Sequence, residues 1–476
     1  MNKNLKYAIG VLCESAKDKG RNLQMPGDGR YQPKLLKPYL GYDQWAGWLI
    51  IVEWFWMKTL AVTGFMPKKD AVLLSEKLLL DLLSEITTTK QDIKEKAGGQ
   101  HDILALLELM REHLPKELHR WLHYCATSYD IINTAYALQL KVTFEEVFMP
   151  KLCQLDSLWR SRIEEHKTTL QAGRTHLQTA LPVTVGFWLA NLHNRFVRCA
   201  RVACVLSEEI PGKFSGAVGT FASQKVLTGP YGQKVLMEML GLPVAEISTQ
   251  ITPPEGMARF YYELVLLSGA LANLGEDARI LQSSQFREIT SHSSSSSAMS
   301  HKVSNPISAE NLAGMHVSVI AENMKVSMTL VSDLQRDLRW SNVMRSYSAI
   351  AVYVFQQILT AERLLESMSV NKDQCRKNFD EQGRLVVAEL LHLFLQREGM
   401  ANAHEFVNKV IVTRAKASGN DLYQEMTQGY VGDHFSIAGD MWNKLLSSDV
   451  IAYLMNPELY IGDAVEIAER EAENAL

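Results

Sequence analysis

The sequence has no excess of charge of either sign, because 49 Lys and Arg residues stand against 53 Asp and Glu residues in 476. The formal net charge is only -4, which provides no strongly basic field for nucleic acid or for an anionic membrane surface. Charged residues make up 21% and hydrophobic residues 47%, a composition that excludes an intrinsically disordered chain. We therefore expect a globular protein of about two to four domains that binds neither nucleic acid nor membrane.

Cysteine and long apolar runs are also scarce. The six cysteines lie far apart, with no Cys-x-x-Cys pair and no histidine at zinc-ligand spacing, so we expect reduced thiols, no metal site and a cytoplasmic location. The most apolar stretch, residues 45–57, is interrupted by Glu53 and is shorter than the roughly 20 residues of a transmembrane helix. Near the N-terminus, the apolar residues 7–13 are too few for a secretory signal, and they predict an ordinary first helix.

Only 14 prolines interrupt the sequence, and apolar residues recur three and four positions apart over long stretches, which is typical of amphipathic helices. Strand-like alternation is short and rare. The spacing predicts long helices over residues 257–281, 131–159 with a kink at Pro150, 183–206, 311–333 and 346–368. Helices of this length pack side by side in bundles that commonly extend by association, so we expect an all-α fold and a homo-oligomer.

Three sequence blocks resemble those of the fumarase/aspartase superfamily and occur in the same order. They are residues 123–130 (His-Tyr-Cys-Ala-Thr-Ser-Tyr-Asp), residues 173–178 (Gly-Arg-Thr-His-Leu-Gln), and residues 295–311, which resemble the loop Gly-Ser-Ser-x-Met-Pro-x-Lys-x-Asn-Pro. By composition alone the serine run 293–297 in front of the third block is a flexible linker. The residues that follow it indicate instead a lid that closes over a substrate.

Within the superfamily, the sequence is most similar to the adenylosuccinate lyase family. Further matches lie at residues 26–31, 101–102, 215–220, 248–250 and 335–345. The resemblance implies cleavage of adenylosuccinate to AMP and fumarate, and of the succinyl-carboxamide ribotide of purine biosynthesis to its aminoimidazole product and fumarate. It implies neither a metal nor an organic cofactor.

The resemblance also implies an all-α architecture of three domains with a fumarase/aspartase-like fold. The implied domains are an N-terminal helical domain (1–112), a central bundle of long helices (113–360) and a C-terminal helical domain (361–476). The expected assembly is a homotetramer, in which each active site combines segments of three subunits.

The implied reaction removes a proton from a carbon beside a carboxylate and expels an amine by anti elimination. A base and a group that stabilises the carbanion must therefore act together. By resemblance the base is Ser296, the general acid is His176, and Glu310 orients and charges that histidine. Lys302 is the cation that favours a serine alkoxide, and with Asn305 it holds the carboxylate next to the carbanion.

The other candidate residues bind the substrate. Thr127 and Ser128, at the predicted start of a long helix, suit either a substrate carboxylate or simple helix capping. Gln250 matches the glutamine that contacts the succinyl group. Residues from distant segments match the site of the nucleotide phosphate and ribose, where arginines bind phosphate well: Arg30, Tyr31, His101, Asp102, Arg336, Ser341 and Arg345.

The loop departs from the superfamily pattern in three places. Ser295 stands where glycine is usual, Ser300 stands where proline is usual, and Ser304 is an extra residue between Lys302 and Asn305. Two alternatives therefore stay open. One is a different enzyme of the superfamily, similar to 3-carboxymuconate cycloisomerases or acting on another succinylated amine, and the other is a non-catalytic structural homologue.

Overall fold

The computed structural model describes residues 3–15, 29–98, 101–229, 231–291, 305–336, 339–427 and 439–476. These residues are predominantly helical, which confirms the predicted all-α class. In the first half of the chain the helices are Lys3–Ser15 (α1), Lys37–Leu40 (α2), Trp45–Val62 (α3), Lys68–Ala71 (α4), Glu76–Glu85 (α5), Thr88–Gly98 (α6), Asp102–His113 (α7), Ser128–Thr143 (α8), Met149–His166 (α9), Val185–Glu208 (α10), Ala222–Leu227 (α11) and Gly232–Leu240 (α12). In the second half they are Glu255–Leu281 (α13), Ile307–Met328 (α14), Ser341–Met344 (α15), Ser348–Ser367 (α16), Lys372–Gly383 (α17), Ala388–Arg397 (α18), Ala403–Phe406 (α19), Thr413–Ser418 (α20), Leu422–Thr427 (α21), Gly439–Leu446 (α22), Val450–Met455 (α23) and Ala464–Ala472 (α24).

The described strands form two small antiparallel sheets. The first is a hairpin of Leu170–Thr175 (β1) and Gln178–Thr184 (β2), and the second pairs Ile289–Thr290 (β3) with Ser369–Val370 (β4). Short 3-10 turns lie at Gly29–Tyr31, Lys34–Leu36, Tyr42–Gln44, Lys116–Leu118 and Pro457–Leu459, and π-helical turns lie at Phe144–Phe148 and Val407–Val412.

The predicted long helices agree with the structure to different degrees. The prediction for 257–281 is confirmed by α13, and that for 346–368 by α16. The predicted helix 311–333 corresponds to α14, which begins earlier and ends at Met328. Each of these helices carries the apolar stripe that its spacing predicted.

Two of the predicted helices differ from the structure in detail. The helix expected over 131–159 is divided into α8 and α9 by the π-helical turn Phe144–Phe148, which ends two residues before Pro150, so the irregularity lies just ahead of the proline at which a kink or junction was predicted. The helix expected from Val183 begins at Val185, because Val183 belongs to β2 and pairs with Gln171.

The described residues divide into two compact units, each assembled from three stretches of sequence. Unit 1 comprises residues 1–154, 198–272 and 311–360, and unit 2 comprises residues 155–197, 273–310 and 361–476. The three-domain division with boundaries after residues 112 and 360 stays a prediction.

In unit 1, helix α3 is almost entirely buried. Trp45 stacks on Tyr136 and Trp56 stacks on Phe214, with ring centroids 4.2 and 3.9 Å apart. Glu53, which interrupts the apolar stretch, is fully buried and accepts a hydrogen bond from Nδ1 of His123 at 2.6 Å. The charged residue that interrupts this apolar stretch thus has a partner, His123, inside the protein. None of the described helices is both long enough and apolar enough to cross a bilayer.

In unit 2, Trp159 of α9 stacks on Phe196 of α10 with ring centroids 5.4 Å apart. Beside this stack, the fully buried His193 makes hydrogen bonds with two carboxylates, from Nε2 to Asp156 at 2.9 Å and from Nδ1 to Glu471 at 2.7 Å. A carboxylate thus flanks each ring nitrogen of the imidazole. This buried polar cluster joins α24 to α9 and α10.

Candidate active site

An ion pair in unit 1 joins two of the predicted phosphate-site residues. Arg345, which follows α15, donates from Nη2 to Oδ2 of Asp102 at 2.8 Å, while the other carboxylate oxygen of Asp102 accepts the Ile103 N–H at 2.9 Å. Burial alone would lower the pKa of Arg345, but the negative charge of Asp102 outweighs it, and the pKa is raised. The guanidinium is therefore charged and oriented at the start of α7.

Tyr129 lies at the centre of this group and was missed by the sequence reasoning. It is the second residue of α8, is only 6% exposed, and forms a side-chain hydrogen bond with Ser341. Burial raises its pKa above the usual value, so the phenol stays protonated, and Arg345 and Arg336 lie close enough to oppose that shift. Three of the predicted residues of segment 335–345 thus lie near this phenol, namely Arg336, Ser341 and Arg345. The only signal in the sequence was its position inside the block 123–130.

Gln250 is joined to the same segment through its backbone. Its N–H donates to the carbonyl of Gln335 at 3.2 Å. The next residue, Arg336, has a backbone φ of +77°, which is uncommon for residues other than glycine. The side-chain Oε1 of Gln250 is buried and accepts no hydrogen bond from any described residue. A buried acceptor without a partner is unfavourable unless a ligand or water completes it.

The start of α8 is held by a capping box. Thr127 is the N-cap residue, and its backbone N–H donates to Oδ2 of Asp130 at 2.9 Å, so the capping interpretation of Thr127 is confirmed. Ser128 is the first residue of the helix. A half-buried pair of hydroxyl residues at a helix N-terminus is also suited to an anion, so capping and carboxylate binding remain compatible.

A buried lysine, also missed from the sequence, ties this helix start to its surroundings. Nζ of Lys213 lies 2.6 Å from Oδ1 of Asp130, and both side chains are fully buried. Lys213 also donates to the carbonyl oxygens of Gly216 at 3.1 Å and Gln250 at 3.0 Å, while Asp130 accepts the Ser215 N–H at 3.0 Å. Burial lowers the pKa of Lys213, and the adjacent Asp130 opposes that shift. The pair holds the loop 213–216 and Gln250 against the start of α8.

The remaining predicted residues of unit 1 lie on short surface elements. Arg30 and Tyr31 share the 3-10 turn Gly29–Tyr31, and the Tyr31 hydroxyl accepts a hydrogen bond from Nδ2 of Asn311 at 3.2 Å. His101 is the exposed N-cap residue of α7, with Nδ1 3.7 Å from Asp102. Both elements are thereby connected to helices of unit 1.

In unit 2, His176 lies at the tip of the β1–β2 hairpin. It and Leu177 form the two-residue turn between the strands, with φ values of +54° and +59°. Hairpin turns with two positive φ angles favour Asn and Gly, and other residues there cost about 1–3 kcal/mol each. The side chain of His176 is exposed, so its ring is accessible to a ligand or to another chain.

Glu310 is an exposed residue in the first turn of α14, and the backbone oxygen of Asn305 accepts the Ile307 N–H just before that helix. Within the described part of one chain, no hydrogen bond or ion pair joins His176 to Glu310. Ser296 and Lys302 lie outside the described residues. Among the described residues, no group of three or more His, Cys, Asp or Glu side chains is arranged to hold a metal ion.

Two stretches of the chain match known protein families. Residues 75–321, more than half of the sequence, match the lyase family, and residues 332–436 match the C-terminal family of adenylosuccinate lyase. An adenylosuccinate lyase of Archaeoglobus fulgidus is 28% identical over 460 residues, which cover 94% of this chain and 97% of the relative. That of Pyrococcus horikoshii is 29% identical, with coverages of 89% and 92%.

Solved structures of similar fold include a fumarate lyase from Mesorhizobium sp. BNC1, with a TM-score of 0.77, 23% identity, and coverage of 94% of this chain and 99% of that one. A 3-carboxy-cis,cis-muconate lactonizing enzyme from Pseudomonas putida has a TM-score of 0.78 and 22% identity, with coverages of 94% and 98%. At these identities the likeness shows the fold alone. It confirms the predicted fumarase/aspartase-like architecture.

Proposed function

The chain belongs to the lyase family of the fumarase/aspartase superfamily, and we propose that it is an adenylosuccinate lyase. It would cleave adenylosuccinate to AMP and fumarate, and the related succinyl-carboxamide ribotide to its aminoimidazole product and fumarate. Support comes from relatives of that activity that match nearly the whole chain and from the match of residues 332–436 to their C-terminal family.

The observation that carries the proposal is the cluster of Arg345, Asp102, Tyr129 and Ser341 in unit 1. A guanidinium oriented by a carboxylate and flanked by hydroxyl groups suits a phosphate monoester. A superfamily enzyme whose substrate lacks a phosphate would not require this cluster. The cluster therefore favours a nucleotide over the simpler succinylated amines and over muconate derivatives.

The succinyl half of the substrate would lie against the start of α8. Thr127 and Ser128 would hold one carboxylate there, and Gln250, whose buried Oε1 has no hydrogen-bond partner among the described residues, would contact the succinyl group. Ser296 would remove the proton, with Lys302 stabilising its alkoxide and, together with Asn305, the carboxylate that takes up the negative charge. His176 would protonate the departing nitrogen, and Glu310 would orient and charge that imidazole.

These groups would come together only in an assembly. Exposed apolar residues occur along three long helices of unit 1, each between 43% and 68% exposed: Val205 on α10, Tyr262 and Leu266 on α13, and Val317, Ile320 and Met324 on α14. Apolar surface of this kind favours burial against another copy of the chain. We infer a homotetramer with shared active sites, located in the cytoplasm, in which His176 meets Glu310 of another subunit.

The direct test is to incubate the purified protein with adenylosuccinate and to measure AMP and fumarate. The matched control is succinyladenosine, which has the same succinylated base but no phosphate. We expect turnover of adenylosuccinate and a kcat/KM for succinyladenosine lower by at least about 100-fold, the effect expected when charged hydrogen bonds to phosphate are lost. Equal turnover of the two would point to a lyase for another succinylated amine. No turnover by an intact oligomer would refute the proposal and favour a structural homologue.

A further inference from the structure

Arg174, two residues before His176, forms a bidentate ion pair inside unit 2. Its two terminal nitrogens donate to the two carboxylate oxygens of Glu288, one of them at 3.1 Å. Glu288 is fully buried, and Arg174 is 11% exposed with its guanidinium 4.3 Å from the ring centroid of Phe286. A planar guanidinium held on two sides has little freedom to rotate.

The Glu288 carboxylate also fixes the surroundings of the hairpin. It accepts hydrogen bonds from Nε2 of Gln171 and from Nδ2 of Asn378, both at 2.9 Å. Gln171 belongs to β1 and Asn378 to α17, while the backbone oxygen of Glu288 accepts the N–H of Asn371 at 2.8 Å. A single buried carboxylate thus joins one strand of the hairpin to α17 and to the segment in front of that helix.

The conformation of the hairpin needs such support. The strand register shifts between Ala172 and Arg174, and a Cβ atom on Gly173 would lie only 2.4 Å from the carbonyl oxygen of Leu181. The turn at its tip places His176 in the left-handed region without glycine. Backbone strain persists where the surrounding contacts over-determine the structure, and it concentrates at functional sites.

We propose that Arg174 and Glu288 are positioning residues for His176. By fixing strand β1, which leads into the turn, they set the position and orientation of the imidazole. The inference rests on the proposed function, in which His176 protonates the departing nitrogen. The acid must lie within hydrogen-bond reach of that nitrogen, and a displacement of about 1 Å lowers the rate about 100-fold. The pair acts through the hairpin and not on the substrate.

The test compares Arg174→Met and Arg174→Lys with the wild-type enzyme. For Arg174→Met we expect kcat to fall about 100-fold while KM stays within about threefold, because the strand loses its anchor and the substrate contacts remain. Arg174→Lys keeps the positive charge but lacks the planar guanidinium, so its kcat should lie between those of the wild-type enzyme and Arg174→Met. This variant also keeps the test possible if Arg174→Met does not fold. Hydrogen exchange of the backbone amides of 170–184 should accelerate in both variants.

The matched control is Arg160→Met, which removes an arginine that donates to Asp156 at 2.9 Å in the same unit but on α9. It should leave kcat and hairpin exchange unchanged. The inference is overturned if Arg174→Met keeps wild-type kcat, if KM rises as much as kcat falls, or if hairpin exchange does not change. If the wild-type protein does not cleave adenylosuccinate, the proposed function fails, and the exchange measurement still decides whether the ion pair holds the hairpin.

Discussion

Arg345 and Asp102 are 243 residues apart in the sequence, yet Nη2 of the arginine lies 2.8 Å from a carboxylate oxygen of the aspartate. The arginine is about half exposed, at 51%, whereas Asp102 is only 19% exposed. The Asp102 carboxylate therefore fixes the orientation of the guanidinium through one hydrogen bond, and N–H donors on the exposed side of the guanidinium face away from Asp102. This arrangement prepares a site for a dianionic group without burying an unpaired charge.

Arg345→Met should raise the KM for adenylosuccinate by about 10- to 100-fold, from the roughly 1.5–3 kcal/mol that a hydrogen bond to a charged group contributes. Stability should change little, because half-exposed ion pairs contribute little to it. Steady-state kinetics and thermal unfolding measure the two effects. Arg376→Met, at an exposed ion pair with Asp380, serves as the control and should leave KM unchanged. An unchanged KM in Arg345→Met would remove this residue from the phosphate site.

His176→Ala and Ser296→Ala should each lower kcat by roughly 10²- to 10⁴-fold, the range for loss of a general acid or base, while the oligomer stays intact. If active sites combine residues of different chains, mixing the two inactive variants and allowing subunits to exchange should restore part of the activity. Size-exclusion chromatography and a fumarate assay follow both properties. A mixture that stays inactive after proven exchange would argue against shared sites. An active Ser296→Ala would place the base at a neighbouring serine.

Lys213→Met should lower the free energy of unfolding by about 3–5 kcal/mol, because it leaves the buried Asp130 carboxylate without its cation. The double variant Asp130→Asn/Lys213→Met should lose less than the sum of the two single variants, since neither charge is then left unpaired. Equilibrium unfolding in urea measures all of these values. Lys234→Met, which breaks the exposed pair with Glu238, is the control and should stay within about 0.5 kcal/mol of wild type. A loss of this small size in Lys213→Met would contradict the prediction.

The His123–Glu53 pair should make stability depend on pH. Burial alone would lower the pKa of His123, but the charge and hydrogen bond of the buried Glu53 outweigh it, and the pKa is raised. The folded protein therefore holds this proton more tightly than the unfolded chain. The stabilisation is fully present below the unfolded pKa of about 6.5 and is lost as the pH rises through the higher folded pKa.

His123→Asn tests this dependence, since asparagine tolerates the φ of +57° at this position. The difference in unfolding free energy between wild type and variant should be largest below about pH 6.5 and should shrink as the pH is raised above that value. Urea unfolding in a series of buffers gives this difference. A difference that is constant with pH, or that grows at alkaline pH, would show that the pair is not the source.

Much of the helical architecture could be predicted from the spacing of apolar residues, and the limits of that method are physical. Over 257–281 the spacing continues without a break, and the helix follows it. Before α10, Val183 continues a helical spacing by coincidence, because hairpin pairing to Gln171 is a long-range contact that periodicity does not record. The predicted helix 311–333 ends earlier, at Met328, and the apolar residues Leu330 and Val331 beyond it are exposed and do not form the buried face of a helix.

For the candidate site, motifs identified single residues but not their partners. Arg345 and Asp102 were both predicted, yet only the fold shows that they form one ion pair. Lys213 and Glu288 were missed, because a charged residue is expected at the surface unless its partner is known. Their partners lie in other segments, Asp130 at the start of α8 and Arg174 in β1, and a single sequence without contacts cannot pair them.

The buried cluster around His193 bears on how the chain acquires its structure during synthesis. The buried His193 has a hydrogen-bond partner at each ring nitrogen only when both Asp156 and Glu471 are in place, and 278 residues separate His193 from Glu471. Until residue 471 has left the ribosome, α9 and α10 carry a half-satisfied polar cluster that favours an open state. We therefore expect the packing of unit 2 to be completed late in synthesis, after most of its apolar helices have emerged, which is a situation in which chaperones commonly act.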